Sequence, residues 1–328
     1  MGFYDDDPEE DTIKSVSVRV LVPGLRAMHP SKYIFRSRQA KLESRVRSAY
    51  ISPELYETGV VRAHVFPLRP DSRKSWNALL AVSFPVSLAK TKGGDATRLF
   101  GAVLVRGSKV VHRFDRSITL RPESPDVTSD PRITFLEPID LEPGSYELRV
   151  VMSDPDGESP HATLLEVVVP AIPKEKLFLT GPILGRAAGI DVVVTGGGAA
   201  TEDKIGGTRS FEPLLVQQLD EPLDLVALTE ACALGKPGRD GAPAANVSRA
   251  LRREDGTLIG DLPVQGIRPE GEERVRCEHL VDRLPGSALE DGRYLFQVVM
   301  QTPGAEREDE KTVRFSVGKL PAEPTEAE

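Results

Sequence analysis

Few cysteines and few aromatic residues occur in this chain of 328 residues. Only Cys232 and Cys277 are present, and aromatic residues make up 5% of the sequence, with a single tryptophan, Trp76. Two cysteines are too few for a disulfide-built scaffold, although they could form one bridge or remain two separate buried thiols. The aromatic residues are also too sparse for a platform of stacked rings on a sheet face, which disfavours carbohydrate binding by stacking.

Long apolar runs are absent as well. No stretch reaches the length of about 20 apolar residues that a transmembrane helix needs. The opening residues, "MGFYDDDPEE", have neither the basic start nor the apolar stretch of a signal peptide. The formal net charge of −8 argues against a general nucleic-acid binder. We therefore expect no membrane span and no nucleic-acid partner.

Sequence signatures of catalysis are missing too. The five histidines form no H-E-x-x-H motif, and neither a G-x-S-x-G elbow nor a P-loop occurs. Cys277 and His279 would share one face of a strand, but a zinc site needs two more ligands and Cys232 is the only other thiol. The sequence therefore predicts a protein that is not an enzyme and has no cofactor.

One acidic turn could bind calcium. "SDPDGES" at 153–159 places Asp154, Asp156 and Glu158 around Gly157, and hard carboxylate oxygens on a tight turn suit calcium. The full twelve-residue calcium loop is missing, however, and the later counterpart of this stretch reads "QTPGAER". We interpret the segment as an ordinary hairpin turn. If it does bind a metal ion, these three carboxylates are the candidate ligands.

The apolar runs that are present are short and rich in Val, Leu and Ile, and 27 prolines and 28 glycines are spread between them. This pattern is typical of strands separated by turns. Seven such runs lie between residues 60 and 169, which leaves no room for crossover helices and favours antiparallel pairing. A second series follows "PAIPKEK" at 170–176, which we interpret as a linker.

A repeated stretch indicates how these strands are organised. "LEPGSYELRVVMSDP" at 141–155 and "LEDGRYLFQVVMQTP" at 289–303 agree at eight of fifteen positions. At a period of two, each copy places a tyrosine and three further apolar residues on one face, as in a half-buried strand of a sandwich. The repeat therefore predicts the penultimate strand of two tandem modules of one architecture.

The glycine and the tyrosine that both copies of the repeat contain have a structural reason. Gly144 and Gly292 would take positive φ angles in the turn that enters the strand. Tyr146 and Tyr294 would bury their rings while the hydroxyls bond to turn backbone, as in the tyrosine corner of immunoglobulin-like sandwiches. The expected fold is thus all-β, with two tandem immunoglobulin-like antiparallel β-sandwiches after a short strand-plus-helix segment.

The boundaries follow from these patterns. Residues 1–50 form the strand-plus-helix segment, which would be the end of a preceding domain. The two modules span residues 51–173 and 174–318. Residues 319–328 form a disordered acidic tail. "IKSVSVRVLV" at 13–22 and "KYIF" at 32–35 predict strands, and 38–50 a helix that Pro53 ends. Residues 12–50 carry nine basic residues and one acidic residue. This basic segment is either a solvated face or a surface that contacts an acidic or adjoining domain.

These residues resemble the C-terminal region of bacterial von Willebrand factor A-related proteins of the acidobacterial type. In that family the last strands of the A domain lead into a turn and then an aromatic residue, matched here by Val18, Val20, Pro23, Gly24 and Tyr33. The helix at 38–50 and Ser52-Pro53 match the next family segment. The family's sandwich strand L-x-P-G-x-Y-x-L-x-V is matched by Leu141, Pro143, Gly144, Tyr146, Leu148 and Val150.

The resemblance covers most of residues 13–175 and, more faintly, the rest. The D-x-S-x-S metal motif of the A domain does not occur, so the A domain is largely absent and its metal-dependent adhesion is not carried over. The resemblance implies non-enzymatic structural or protein-interaction modules of an exported protein, in the periplasm or on the cell surface. Two alternatives remain open: a carbohydrate- or calcium-dependent ligand-binding sandwich, and accessory domains of a hydrolase.

Overall fold

The computed structural model confirms the all-β fold: the chain is built of antiparallel sandwiches with one α-helix among its described residues. It describes residues 10–15, 17–18, 20–25, 28, 30, 32–72, 74–85, 96–120, 132–153, 160–187, 193–195, 211–235, 244–271, 273–303 and 308–318. The tail at 319–328 and the candidate ligands Asp154, Asp156 and Glu158 lie outside these residues.

The N-terminal segment holds a two-stranded hairpin and a helix. Strands β1 (Thr12–Ser15) and β2 (Lys32–Phe35) pair antiparallel, and helix α1 spans Arg38–Ile51. The predicted strand over 13–22 is wrong in length, because its partner β2 has only four residues and the ladder ends at the Ser15–Lys32 pair. The helix is confirmed; the Ser37 hydroxyl caps it by accepting from the Ala40 N–H, and a 3-10 turn at Pro53–Tyr56 follows.

The first sandwich contains seven strands. They are β3 (Arg62–Pro70), β4 (Trp76–Pro85), β5 (Ala96–Arg106), β6 (Lys109–Leu120), β7 (Arg132–Leu141), β8 (Gly144–Met152) and β9 (His161–Val169). Its outer sheet has the order β6-β5-β8-β9, and its inner sheet contains β7-β4-β3. A hairpin at Arg106–Lys109 joins β5 to β6, with Gly107 at φ 61°.

The second sandwich follows the linker. Its strands are β10 (Leu177–Ala187), β12 (Phe211–Pro213), β13 (Gln218–Leu219), β14 (Leu225–Leu234), β15 (Ala245–Arg253), β16 (Leu258–Ile267), β17 (Val275–Leu284), β18 (Gly292–Gln301) and β19 (Asp309–Val317). Its inner sheet has the order β12-β10-β14-β17, and its outer sheet the order β13-β19-β18-β15-β16. Asp255-Gly256 forms the hairpin turn between β15 and β16.

Two short pairings depart from the antiparallel expectation. Strand β11 (Val193–Thr195) joins the inner sheet of the first sandwich beside β7 and runs parallel to it. Strand β13 likewise runs parallel to β19. In addition, the apolar run "FEPLLVQQL" at 211–219 does not form one continuous strand, because β12 and β13 are separated by residues 214–217. The chain after β10 thus returns to the first sandwich before it completes the second.

The repeated strands are β8 and β18, and they occupy matching places. Each is central in an outer sheet and pairs antiparallel with the last strand of its sandwich. In β18 the residues buried at period two are Tyr294, Phe296, Val298 and Met300; in β8 they are Tyr146, Leu148, Val150 and Met152. Val151 is buried as well, because Ala49 of helix α1 covers the outer face of β8. The predicted core faces are confirmed.

The two tyrosine corners share one backbone hydrogen bond. The Tyr146 hydroxyl donates to the Glu142 carbonyl at 2.6 Å, and the Tyr294 hydroxyl donates to the Glu290 carbonyl at 2.9 Å. Each acceptor lies four residues upstream. Gly144 and Gly292 have φ angles of 150° and 156°. The repeat therefore marks the same strand–turn unit in both sandwiches.

We expect Tyr294→Phe to be more destabilising than Tyr146→Phe. The Tyr294 hydroxyl also accepts from the Glu290 N–H at 2.7 Å, and its ring is 1% exposed. Removal of the hydroxyl leaves two backbone groups unpaired, at a cost of about 1–3 kcal/mol in the free energy of unfolding. Urea denaturation of both variants measures this difference; equal stability of Tyr294→Phe and the parent protein would contradict the corner's role.

Candidate functional site: the interface between the two sandwiches

The inner sheets of the two sandwiches pack face to face. One apolar cluster contains Leu68, Leu79, Ala81 and Leu136 from the first sandwich and Ile183, Phe211 and Leu228 from the second. Strand β4 is buried at nine of its ten positions, and β14 at eight of ten. Both strands are therefore covered on two sides, by their own core and by the other sandwich.

The linker is held against the first sandwich. The Trp76 indole N–H donates to the Pro170 carbonyl at 2.8 Å, and the Trp76 side chain is 3% exposed. Phe178, near the start of β10, and Cys232 of β14 pack with the core of the first sandwich. The only tryptophan thus fixes the segment that connects the two sandwiches.

A buried carboxylate crosses the interface. Glu212 of β12 is 6% exposed and accepts a short hydrogen bond from the Thr134 hydroxyl of β7. Its second oxygen accepts from the Arg186 guanidinium at 2.7 Å. A buried carboxylate is tolerated only where such partners compensate its lost hydration. Glu212 therefore links the two inner sheets by polar contacts as well as by packing.

A cavity of about 280 Å³ opens beside Glu212. Three arginines from both sandwiches line it: Arg62, Arg132 and Arg186. Arg132 is oriented by hydrogen bonds to the Ser83 hydroxyl at 2.9 Å and to the Val60 carbonyl at 2.7 Å. Asp220 and Glu221 also line the cavity, so its charge is mixed and suits a polar rather than an apolar ligand.

A second polar cluster lies near the other end of β14. Cys232 and Cys277 form a disulfide, which resolves the alternative that the sequence left open. They are directly opposite each other on β14 and β17, and Glu230 is opposite His279 two residues away. The Glu230 Oε1 atom lies 3.0 Å from His279 Nδ1, and Glu230 is 4% exposed. Four side chains with ligand chemistry therefore share one patch of the inner sheet.

The sequence pattern indicates only part of this site. It placed Cys277 and His279 on one face, as the structure does, but it did not identify Glu230 or Glu212. Both carboxylates stand within or beside apolar runs, "LVALTEACAL" and "FEPLL". A charged residue inside a fully buried strand is the signal that could have indicated them, because such a group needs a specific partner.

Within the described residues, no helix is both long and apolar enough to cross a membrane. No family model matches the chain, and no curated protein does either.

Solved structures share a weak likeness with the chain. A β-glucuronidase 2 from Bacteroides uniformis, covalently bound to cyclophellitol-6-carboxylate aziridine, is 11% identical; the match covers 74% of this chain and 26% of that one, with a TM-score of 0.26. A putative β-galactosidase from Bacteroides fragilis is 12% identical over 76% and 34%, with a TM-score of 0.24. A glycosyl hydrolase family 2 member from Bacteroides cellulosilyticus is 8% identical over 77% and 29%, with a TM-score of 0.25. The chain thus spans about a third or less of these proteins, and TM-scores this low carry no argument about activity.

Proposed function

We propose that this chain is a non-catalytic pair of β-sandwich modules that acts as one rigid structural and protein-interaction unit. The observation that carries the proposal is the burial of both inner sheets against each other. Modules joined only by a linker move relative to one another unless their interface is large and hydrophobic. Here the interface combines an apolar cluster, the Glu212 contacts and the Trp76 contact with the linker. Such a unit holds whatever is attached to its two ends at a fixed separation.

The N-terminal segment is the part that we expect to contact a partner. Its exposed apolar side chains include Ile13 and Ile34, which are paired on one face of the hairpin, and Leu21 and Met28 beyond it. The same segment carries the excess of basic residues. Apolar exposure combined with positive charge fits the acidic surface of an adjoining domain.

The disulfide supports export of the protein. Bridges form and persist in oxidising compartments such as the periplasm or the cell exterior, and cytosolic reductants keep thiols reduced. The bonded Cys232 and Cys277 therefore agree with the periplasmic or cell-surface location that the resemblance to von Willebrand factor A-related proteins implies. That relationship remains a prediction from sequence.

A second candidate function is the binding of a carbohydrate in the cavity at the interface. Guanidinium and carboxylate groups such as Arg62 and Glu221 can donate to and accept from sugar hydroxyls. No aromatic ring is among the described residues that line the cavity, so stacking does not contribute. Such binding would suit accessory domains of a hydrolase, and a glycan array tests it directly.

The rigid-unit proposal is tested by a distance measurement across the whole chain. We would place spin labels on Ser108→Cys, in the turn that joins β5 and β6 of one outer sheet, and on Val264→Cys, in β16 of the other; both positions are exposed. Electron-spin resonance should give one narrow distance distribution. Phe211→Ala with the same labels should broaden it, since the apolar cluster then loses its largest side chain.

Two results would contradict the proposal. A broad distribution in the parent protein means that the sandwiches are hinged. Turnover of chromogenic glycosides or esters by the purified chain, at a rate that survives repeated purification, means that the protein is an enzyme.

A further inference from the structure

The four ligand-type side chains on the inner sheet of the second sandwich have a strict arrangement. Glu230 and Cys232 are two residues apart on β14, and Cys277 and His279 are two residues apart on β17. Residues at a spacing of two point to the same face of a strand. The antiparallel register then places the two cysteines side by side and the carboxylate beside the imidazole.

Three of the four side chains have ligand atoms close enough together to share one metal ion. One ligand atom from each of Glu230, Cys232 and Cys277 lies within 4.8 Å of the other two. His279 Nδ1 is 3.0 Å from the Glu230 carboxylate. Zinc binds thiolate sulfur at about 2.3 Å and nitrogen or oxygen at about 2.0–2.2 Å, so its ligand atoms sit roughly 3–4 Å apart. In the reduced protein, side-chain rotation would have to separate the two sulfurs and turn the His279 imidazole toward them to place four ligand atoms around one ion.

The polar groups in the cluster are incompletely satisfied. His279 Nδ1 is buried and makes no hydrogen bond among the described residues, although the Glu230 oxygen is close enough for an ion pair. The Glu230 side chain is 5% exposed, and its other oxygen is 3.9 Å from the Cys232 sulfur. Glu230 and His279 thus form a close but poorly aligned pair, and a cation between the carboxylate and the imidazole would satisfy both groups.

We propose that the reduced protein binds one Zn²⁺ through Cys232, Cys277, His279 and Glu230, and that the disulfide blocks this site. A dithiol reductant would supply two electrons and two protons, break the S–S bond and leave two thiols. Zinc would then displace the two thiol protons and bind two thiolates, one imidazole and one carboxylate. Soft thiolate ligands favour zinc over magnesium or calcium. In the oxidised protein only Glu230 and His279 remain as ligands, which is too few for a tetrahedral site.

The consequence is a cross-link between β14 and β17 in either redox state. In the oxidised protein the disulfide joins the two strands covalently, and in the reduced protein the zinc ion would join them through its four ligands. Because Cys232 packs with the core of the first sandwich, the same cluster lies where the two sandwiches meet. The interface would therefore keep its local geometry when the compartment changes from oxidising to reducing.

Zinc titration of the full chain tests this proposal. The protein is reduced with a phosphine, freed of reductant without oxygen, and titrated with ZnCl₂ against a chromogenic chelator. We expect one equivalent of zinc in the reduced protein and none retained in the oxidised protein. Cobalt(II) in place of zinc should give a thiolate-to-metal charge-transfer band, which reports sulfur ligation directly.

Matched variants separate this site from adventitious binding. Glu230→Gln and His279→Ala should each weaken zinc binding by roughly tenfold or more, at least as much as loss of an outer-shell partner does. Glu278→Gln and His161→Ala should leave it unchanged, because Glu278 lies on the opposite face of β17 and His161 lies in the first sandwich.

Several outcomes overturn the proposal. These are equal zinc binding by oxidised and reduced protein, a cobalt complex without the charge-transfer band, and unchanged affinity in both ligand variants. Circular dichroism of the reduced protein shows whether reduction unfolds the chain. If reduction unfolds the chain and zinc does not refold it, no site exists.

Discussion

Phe211→Ala should lower the free energy of unfolding by about 3–5 kcal/mol, the range for loss of a large buried aromatic side chain. Phe211 is 6% exposed and belongs to the cluster that joins the two inner sheets. Its ring lies against the backbone of β10, since a Cβ placed on Gly185 would come within 3 Å of it. A smaller side chain leaves a cavity that neither sheet can close without moving the other.

This variant also tests whether the two sandwiches unfold together. Trp76, the only tryptophan, reports on the first sandwich, whereas Phe211 belongs to the second. Urea denaturation followed by tryptophan fluorescence and by far-UV circular dichroism should show both transitions shifting by the same amount. Val264→Ala, at a position 65% exposed, is the control and should change stability by no more than about 0.5 kcal/mol. A fluorescence transition that does not move would show that the interface is not shared.

Arg249→Met should have an effect of similar size, about 3–5 kcal/mol, because it leaves a buried charge without its partner. Arg249 of β15 and Asp282 of β17 are 6% and 7% exposed, and they join the outer and inner sheets of the second sandwich, with 3.4 Å between Arg249 Nε and Asp282 Oδ1. Arg249 also donates to the Gln265 side chain and the Pro263 carbonyl at 2.9 and 2.8 Å. Methionine keeps much of the volume but none of these contacts.

The destabilisation in Arg249→Met should depend on pH. Burial raises the pKa of Asp282 even though Arg249 opposes the shift, so removal of the arginine should raise it further. A carboxyl group whose folded pKa is raised destabilises the folded state above that pKa, and the effect disappears as pH falls toward the unfolded value. The stability gap between parent and variant should therefore be smaller at about pH 5 than at about pH 8.

Arg252→Met supplies the matched control for this series. Arg252 stands on the same strand and donates to the Gly256 carbonyl at 3.3 Å. Its replacement should change stability by about 0.5 kcal/mol or less at either pH. A gap in Arg249→Met that is the same at both pH values would mean that Asp282 is not the group responsible.

Local rules accounted for the elements of this fold. The glycine and tyrosine of the repeat identified β8 and β18, because a tyrosine corner leaves a signature within six residues. Gly107 and Gly256 have positive φ angles in the two hairpin turns, a conformation that favours glycine and that a glycine between two apolar runs indicates. The strand predicted over residues 13–22 is longer than the observed β1, because the alternation of apolar residues does not reveal how long the partner strand is.

Contacts between segments far apart in the chain could not be predicted from local sequence in the same way. "ALLAVSFPV" in β4 and "LVALTEACAL" in β14 are apolar on both faces, which is typical of strands buried twice. That pattern indicates that each strand is covered on both faces, but it does not show which sheet packs against which face. The contacts of Glu230 with His279 and of Glu212 with Thr134 depend on this packing, between strands far apart in the sequence, so the candidate site could be only half predicted.

Strand β11 has a consequence for any attempt to divide the protein. Residues 193–195 lie after the linker, yet they complete a sheet of the first sandwich by pairing with β7. A chain truncated at residue 173 would therefore expose an unpaired strand edge and the apolar surface of Leu79 and Leu136. Expressed alone, either half should aggregate, and only the undivided polypeptide should be soluble.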